Sequence, residues 1–483
     1  MNYILNEQYS LRPDENRVHL IQDDGRTFRF FVIHPVYAVI LSLFNGKDDM
    51  NTVIEKLTTI LSTTPQTLFR IITPLISNSE TVHIQYDGTV FSFPPMLLKE
   101  NTNKGVREDL VMENYIINGP YDFNTLRFNR PKNCVIVINT QCYTDCIYCY
   151  ANRKHPYTPL STSRLLSIID EAHQIGIDSI EISGGEFFLH PSWKDILAKM
   201  LAFGYNPAIS TKIPIKESDI KYLAEVGLHE IQVSLDTLDK SIIQKNLNVK
   251  PIYVEQMKNT LQTLDNYGIS LIIKGTQTKY TCTLTNIQSV LEFISGLKNV
   301  KRYVVSTIGC SQNKPNELFH LIKPQISQIN ELDSFINQVR GQYAFEIILD
   351  DQSIRKAALC SHKEFSNRAL CTGNIDGFVI LPDGNVTICE ELYWHPFFIL
   401  GDLSSQSILE IWHSDKAVKL WNLSQEIIPK DSACAKCTAF VECRHGLGVC
   451  WKMILAVYGK NNPLFPDPRC PMAPHFVNDI CYD

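Results

Sequence analysis

The sequence predicts an α/β protein: a partial (β/α)6, TIM-like barrel between an N-terminal winged-helix domain and a C-terminal cysteine-rich segment. Three observations predict it. Strand-like and helix-like segments alternate from Cys134 to Ser306, a glycine follows most of those helices, and most of the 15 cysteines fall in two groups. Alternation of this kind favours parallel strands joined by right-handed crossovers.

Residues 1–95 read as a small unit of their own. Strand-like Arg17–Gln22 and Thr27–Ile33 precede helical periodicity in Pro35–Phe44, Met50–Leu61 and Pro65–Thr73. Thr64-Pro65 is a good N-cap and first-turn pair, since proline lacks only an amide hydrogen that had no helical partner. Val82–Tyr86 and Thr89–Phe93 flank Asp87-Gly88, a strong hairpin signal. Pro94-Pro95 and polar Lys99–Glu108 mark a linker over 96–128.

The barrel is expected over 129–310. Its strands are Cys134–Asn139, Ser179–Ser183, Asn206–Ser210, Glu230–Ser234, Ser270–Lys274 and Arg302–Ser306. Helices fit between them at Ser163–Ile175, Trp193–Phe203, Ser218–Val226, Val254–Tyr267 and Leu284–Leu297, with Gly176, Gly204, Gly227 and Gly268 as left-handed terminators. A bridging segment, 311–350, leads to 351–483, where the regular period fades and cysteines crowd in. That last segment is expected to be built around metal rather than a large apolar core.

Composition narrows the function. With 20% charged residues and no apolar run of membrane-spanning length, the chain reads as soluble. The start MNYILNEQYSLRPDENRVHL shows no secretory signal, so a cytoplasmic location is expected. In that compartment thiols stay reduced, and metal or cluster ligation explains the cysteines better than disulfides. A net charge of −6 without a basic stripe argues against nucleic acid.

Cys142, Cys146 and Cys149 form a CxxxCxxC set directly after the first barrel strand. Random placement at this cysteine density gives that pattern in only about one or two chains in a hundred. Three thiolates fill three corners of a [4Fe–4S] cube and leave one iron open, whereas a structural zinc would want a fourth protein ligand. With Tyr148 at the aromatic position, the motif resembles that of the radical S-adenosylmethionine superfamily. The resemblance implies that Cys142, Cys146 and Cys149 ligate a cluster whose open iron chelates the amino and carboxylate groups of S-adenosylmethionine. One electron then yields a 5′-deoxyadenosyl radical, and Tyr148 packs beside the adenine.

Ser183-Gly184-Gly185-Glu186 resembles the family's GGE motif, which meets the methionyl amino group. Glycine lets the backbone approach closely, and an acid pairs with an ammonium. Ser210-Thr211 and Ser234-Leu235-Asp236 stand where the family places ribose and carboxylate contacts. The family often has asparagine after that threonine, and here Lys212 replaces it.

The second group is Cys371, Gly384, Cys389, Cys434, Cys437, Cys443, Cys450 and Cys470. It resembles the SPASM extension of radical enzymes that act on peptides and proteins, although the step from Cys443 to Cys450 is six residues where three is usual. The resemblance implies two auxiliary [4Fe–4S] clusters, three in all: one on Cys371, Cys389 and Cys450, with Cys360 available as a fourth ligand, the other on Cys434, Cys437, Cys443 and Cys470. Two structural zinc sites are the plainer alternative. Cys134, Cys282, Cys310 and Cys481 match no ligand position.

The N-terminal unit resembles the leader-peptide recognition element of maturases of ribosomally made peptides, a winged helix that takes the leader as an added strand. Here Thr27–Ile33 would be the edge and Pro65–Thr73 the helix. A DNA-binding winged helix fits poorly, because Arg70 is the single charge on that helix. Together the resemblances imply a maturase with a precursor peptide as partner and an electron donor such as flavodoxin or ferredoxin. An intrapeptide cross-link, thioether first, is the expected product, as in ranthipeptide-type maturases. An activator of a partner protein, a peptide epimerase and a metal-binding, DNA-binding regulator stay open.

Overall fold

The computed structural model describes residues 1–23, 28–349 and 362–482. It divides into two compact units: Met1–Asn129 with Arg368–Cys371 and His445–Leu447, and Arg130–Asn367 with Thr372–Arg444 and Gly448–Asp483.

The first unit contains strands β1 (Tyr3–Leu5), β2 (Tyr9–Asp14), β3 (Arg17–Asp23) and β4 (Phe28–Ile33), then helices α1 (Pro35–Ser42), α2 (Met50–Ile60) and α3 (Pro65–Ile72). Strands β5 (Val82–Tyr86), β6 (Thr89–Phe93) and β7 (Leu98–Glu100) follow. β2, β3 and β4 form an antiparallel meander, β5 pairs with β6, and β1 pairs with β7. Thr64 caps α3 by accepting the Thr67 N–H at 3.3 Å. Asp87 and Gly88 have φ of 49° and 74°, the doubly positive turn that matches strand twist. β1, β2 and β7 were not foreseen, because β1 and β7 are three residues each and Pro13 interrupts the pattern of β2. Of the expected edge strand, Thr27 lies outside the described residues.

The second unit opens with β8 (Asn133–Val137), α4 (Thr162–Gln174), β9 (Ser179–Ser183), α5 (Trp193–Ala202), β10 (Ser210–Thr211), α6 (Glu217–Glu225) and β11 (Glu230–Ser234). It continues with α7 (Lys240–Leu247), α8 (Ile252–Asn266), β12 (Ser270–Gln277), α9 (Leu284–Ser295), β13 (Val300–Thr307), α10 (Asn316–Ile322), α11 (Ile326–Val339) and β14 (Glu346–Leu349). After it come α12 (His362–Ser366), β15 (Gly377–Ile380), β16 (Asn385–Thr387), β17 (Gly401–Asp402), α13 (Ile408–Trp412), α14 (Asp415–Trp421) and α15 (Trp451–Tyr458). β10 to β14 form one parallel sheet in chain order. β9, β8 and β15 are parallel in the other, which β16 and β17 extend antiparallel.

Several expectations need correction. The third strand is not Asn206–Ser210 but Ser210–Thr211, since Pro207 has no N–H to give a ladder. α7 was unforeseen, although Asp239 caps it by accepting the N–H groups of Ser241 and Ile242. Residues 311–350 add two helices and a further parallel strand. The C-terminal segment is not built mainly around cysteines: β15 enters the barrel sheet beside β8, and Phe378, Ile380, Val386, Ile411 and Trp412 join the main apolar core. Each such side chain contributes roughly 1.5–3 kcal/mol on leaving water. The four helix-ending glycines stand as expected, with φ between 75° and 87°.

Candidate cluster and cofactor site

The site is built on loops at the C-terminal ends of the barrel strands, where such barrels carry their chemistry. The loop after β8 is pinned by α7, whose last carbonyls have no helical partner. Asp145 N–H donates to Leu247 and Ile147 N–H to Asn246, each at 2.9 Å. Arg153 ties the loop down again, donating to the Thr144 carbonyl at 2.9 Å and to Asp145 Oδ1 at 3.1 Å.

Within this frame the buried Thr144 hydroxyl lies 3.2 Å from Cys146 Sγ and 3.5 Å from Cys142 Sγ. Cys149 is joined to them by its N–H, which donates to the Cys146 carbonyl at 3.1 Å. Burial pushes the Cys146 thiol up, and the nearby Lys212 ammonium opposes it. Thr144 and α7 carried no signal in the cysteine spacing.

Glu186 is 1% exposed. Its carboxyl accepts the Thr211 hydroxyl at 3.0 Å, the Lys212 N–H at 3.1 Å and the Phe188 N–H at 3.4 Å. Among the described residues no cation pairs with it, and burial raises it to about 7. The glycines before it permit the approach: a Cβ on Gly185 would stand 1.9 Å from the Gln141 carbonyl oxygen, and Gly184 has φ of 121°. This buried acid is thus held against the cysteine loop without a counter-ion among the described residues.

The lysine that breaks the family pattern holds the centre. Lys212 Nζ is 3.0 Å from Asp236 Oδ2, 2.5 Å from the Tyr148 hydroxyl and 5.0 Å from the centroid of the Tyr148 ring. Tyr148 donates to Asp236, which also accepts the Thr276 N–H at 3.0 Å. Burial works against the Lys212 charge, but Asp236, with Cys146 behind it, outweighs burial and holds the ammonium above the ordinary lysine value. Register places Ser210 beside Gln232, and strand alternation puts Ser234 on that same face. Ser210 is exposed and Ser234 half-buried, apart from the Glu186 and Asp236 clusters.

The C-terminal cysteines gather in two neighbourhoods. Gln425 Nε2 donates to the carbonyls of Cys434 and Cys437 at 2.9 Å each, and Arg444 approaches Cys434 Sγ at 3.4 Å. Burial raises the Cys470 thiol, and the neighbouring Cys443, Cys434 and Cys437 add to that rise. Cys389 and Cys450 both act on half-buried Lys452, which pairs with Glu391. Asp467 links the neighbourhoods: its carboxylate accepts the Cys450 N–H at 2.9 Å, and its carbonyl accepts the Cys470 N–H at 2.8 Å. Cys371 belongs to the first unit, where its N–H donates to Leu447 at 3.0 Å. Cys360 lies outside the described residues. Among the described residues no three His, Cys, Asp or Glu side chains are placed to hold one metal ion. Cys134, Cys282 and Cys481 are buried, and Cys310 is partly so.

Residues 136–286 match the Radical SAM superfamily, and residues 371–438 match SPASM, an iron-sulfur cluster-binding domain. The chain therefore carries a radical SAM domain followed by a SPASM domain, and these imply S-adenosylmethionine and iron–sulfur clusters. Streptococcus suis SuiB bound to S-adenosylmethionine is similar over 97% of this chain and 99% of that one, with a TM-score of 0.62 at 16% identity. SuiB bound to precursor peptide SuiA matches over 96% and 98%, with a TM-score of 0.58 at 14% identity. At such identities the likeness is one of fold.

Two curated relatives are probable GTP 3′,8-cyclases. That of Methanosarcina mazei is 28% identical over 195 residues, 39% of this chain and 50% of its own length. That of Aeropyrum pernix is 28% identical over 130 residues, 24% of this chain and 36% of its own. The match thus spans half or less of these relatives. The residues present fit the implied groups: thiols gathered on one loop, a glycine pair that lets backbones meet, and a buried acid that no cation among the described residues pairs with. No helix among the described residues is long and apolar enough to cross a membrane.

Proposed function

We propose that this chain is a radical S-adenosylmethionine enzyme that modifies a ribosomally made precursor peptide. The observation that carries the reading is Glu186, a buried carboxyl that no cation among the described residues pairs with, held by Gly184-Gly185 against the loop of Cys142, Cys146 and Cys149. When bound there, the cluster and its cofactor supply a 5′-deoxyadenosyl radical. The three cysteines hold the cluster, Glu186 takes the methionyl ammonium, and Tyr148, fixed by Asp236 and Lys212, lies beside the adenine. Ser210 and Ser234 offer hydroxyls to the ribose. Cys371, Cys389 and Cys450, with Cys360, hold one auxiliary cluster, and Cys434, Cys437, Cys443 and Cys470 the other.

The peptide is the substrate class favoured by the fold, which matches SuiB over nearly the whole chain, first unit included. We read that unit as a winged helix that adds the leader to the edge of β4. This strand pairs with β3 alone among the named strands, though its Phe28 carbonyl accepts the Leu370 N–H at 3.4 Å. Phe69 of α3 is 41% exposed and available to a bound segment. Flavodoxin or ferredoxin would supply electrons, and an intrapeptide thioether is the product we favour. A nucleotide substrate is the second reading, favoured by the activity of the cyclase relatives.

Anaerobic reconstitution should load about twelve irons per chain and give reductive formation of 5′-deoxyadenosine. Mass spectrometry of a precursor peptide co-expressed with the chain should show loss of two hydrogens, with one thiol fewer to alkylate. An unmodified peptide, with GTP consumed instead, would replace the first reading by the second.

A further inference from the structure

Cys142 lies on the wall of a cavity of about 900 Å³ inside the second unit. Its charged lining is Asp145, Arg153, Lys154, Lys314 and Lys460. Asp145 is matched by Arg153 at 3.1 Å, and among the described residues no carboxylate pairs with the three lysines. The cavity is thus cationic in a chain whose net charge is −6. A wall of one sign focuses the field and draws the opposite charge to it.

The space continues into a second cavity of about 710 Å³, which shares Asn152, Gln312, Asn313 and Lys460 with the first. Its wall includes Trp394, stacked on His155 at 4.2 Å between ring centroids and fixed by donation to Asp383 at 2.7 Å. The two cavities together exceed the roughly 300–1,000 Å³ of a small-molecule pocket. A space of this size, open beside a proposed cluster ligand, suits an extended chain better than a single nucleotide.

We infer that the peptide segment lying beside Cys142 is acidic, its Asp or Glu carboxylates received by Lys154, Lys314 and Lys460. This rests on the peptide-modifying reading and adds to it the chemistry of the substrate. Exposed ion pairs are individually weak, each worth a few-fold in affinity, so the preference comes from three acting together.

The test uses the full reconstituted chain and two fluorescein-labelled synthetic nonapeptides of glycine and serine, one carrying three glutamates, the other three glutamines. Anisotropy should give the glutamate peptide about tenfold tighter binding at low salt, shrinking as salt screens the charges. In K154Q/K314Q/K460Q the two peptides should bind alike, and in K154E/K314E/K460E a lysine peptide should overtake both. Equal binding of the glutamate and glutamine peptides to the unaltered chain overturns the inference without any variant. So does GTP binding more tightly than the glutamate peptide with loss in the same variants. A precursor modified equally well after its Asp and Glu are changed to Asn and Gln sinks the acidic-segment inference alone. If no precursor is modified at all, the peptide-modifying reading fails instead.

Discussion

Cys142, Cys146 and Cys149 lie within eight residues of one loop, whereas the C-terminal cysteines from 371 to 470 are spread over about a hundred. Thr144 sits between two thiols of the loop, but the loop's path is fixed by two backbone hydrogen bonds to the end of α7, far along the chain. The spread-out set is tied by polar groups nearer in sequence, 17 residues away or fewer, with Gln425 on two cysteine carbonyls, Arg444 beside Cys434 and Asp467 linking Cys450 to Cys470. The short loop therefore leans on the barrel for its shape, whereas the C-terminal cysteines carry polar ties of their own.

The largest effect should come from the short loop. Replacing Cys142, Cys146 and Cys149 by alanine should abolish 5′-deoxyadenosine formation yet remove only about one third of the iron, because the other ligands are held independently. Iron analysis and product chromatography check it, and full cleavage activity in the triple variant would refute the ligand assignment. Lys212→Met should come next, at about 3–5 kcal/mol of stability, since it leaves the fully buried Asp236 without its cation. Denaturant unfolding of the metal-free chain measures it. A loss under about 1 kcal/mol would show the pair to be screened like a surface bridge.

Legibility follows the same division. Strand and helix alternation was visible for β8, β9 and β11 to β13 because those strands are at least five residues long and apolar at alternate positions. β10 was misplaced because Pro207 shortens its ladder, and β15 was hidden among cysteines although it pairs directly with β8. At the site, Glu186 was readable from its glycine pair. Lys212 was visible only as a departure from a family pattern, and nothing in one dimension places its ammonium against Asp236 and Tyr148. Asp467 and Gln425 carry no motif at all. Their roles arise from contacts that only the folded chain makes.

Asp467→Ala tests the dispersed set. Asp467 is buried, but the hydrogen bond and charge of Arg469 and the N–H of Cys450 keep its carboxyl below the usual range. Its loss should cost about 2–3 kcal/mol, the worth of a charge-assisted bond and a stranded partner. Iron bound through the C-terminal cysteines should fall while 5′-deoxyadenosine formation without peptide persists. Parallel loss of both would mean that the two regions are not independent.

The smallest effect, and the sharpest for the cofactor side of the site, concerns Glu186. Burial raises its carboxyl from the ordinary 4.5 to about 7. A raised folded value means that the folded chain holds the proton more tightly than the unfolded chain. The stabilisation is therefore complete below the ordinary value and is lost as pH rises through about 7. Between about pH 5.5 and about pH 8 this one group should remove about 2 kcal/mol from the stability of the cofactor-free chain. Glu186→Gln, which keeps the shape and acceptor oxygen but cannot ionise, should take away that part of the slope. The measurement is urea unfolding of both proteins at the two pH values. Equal slopes would mean that Glu186 already has a counter-charge in the cofactor-free state, and its assignment to the methionyl ammonium would then fall.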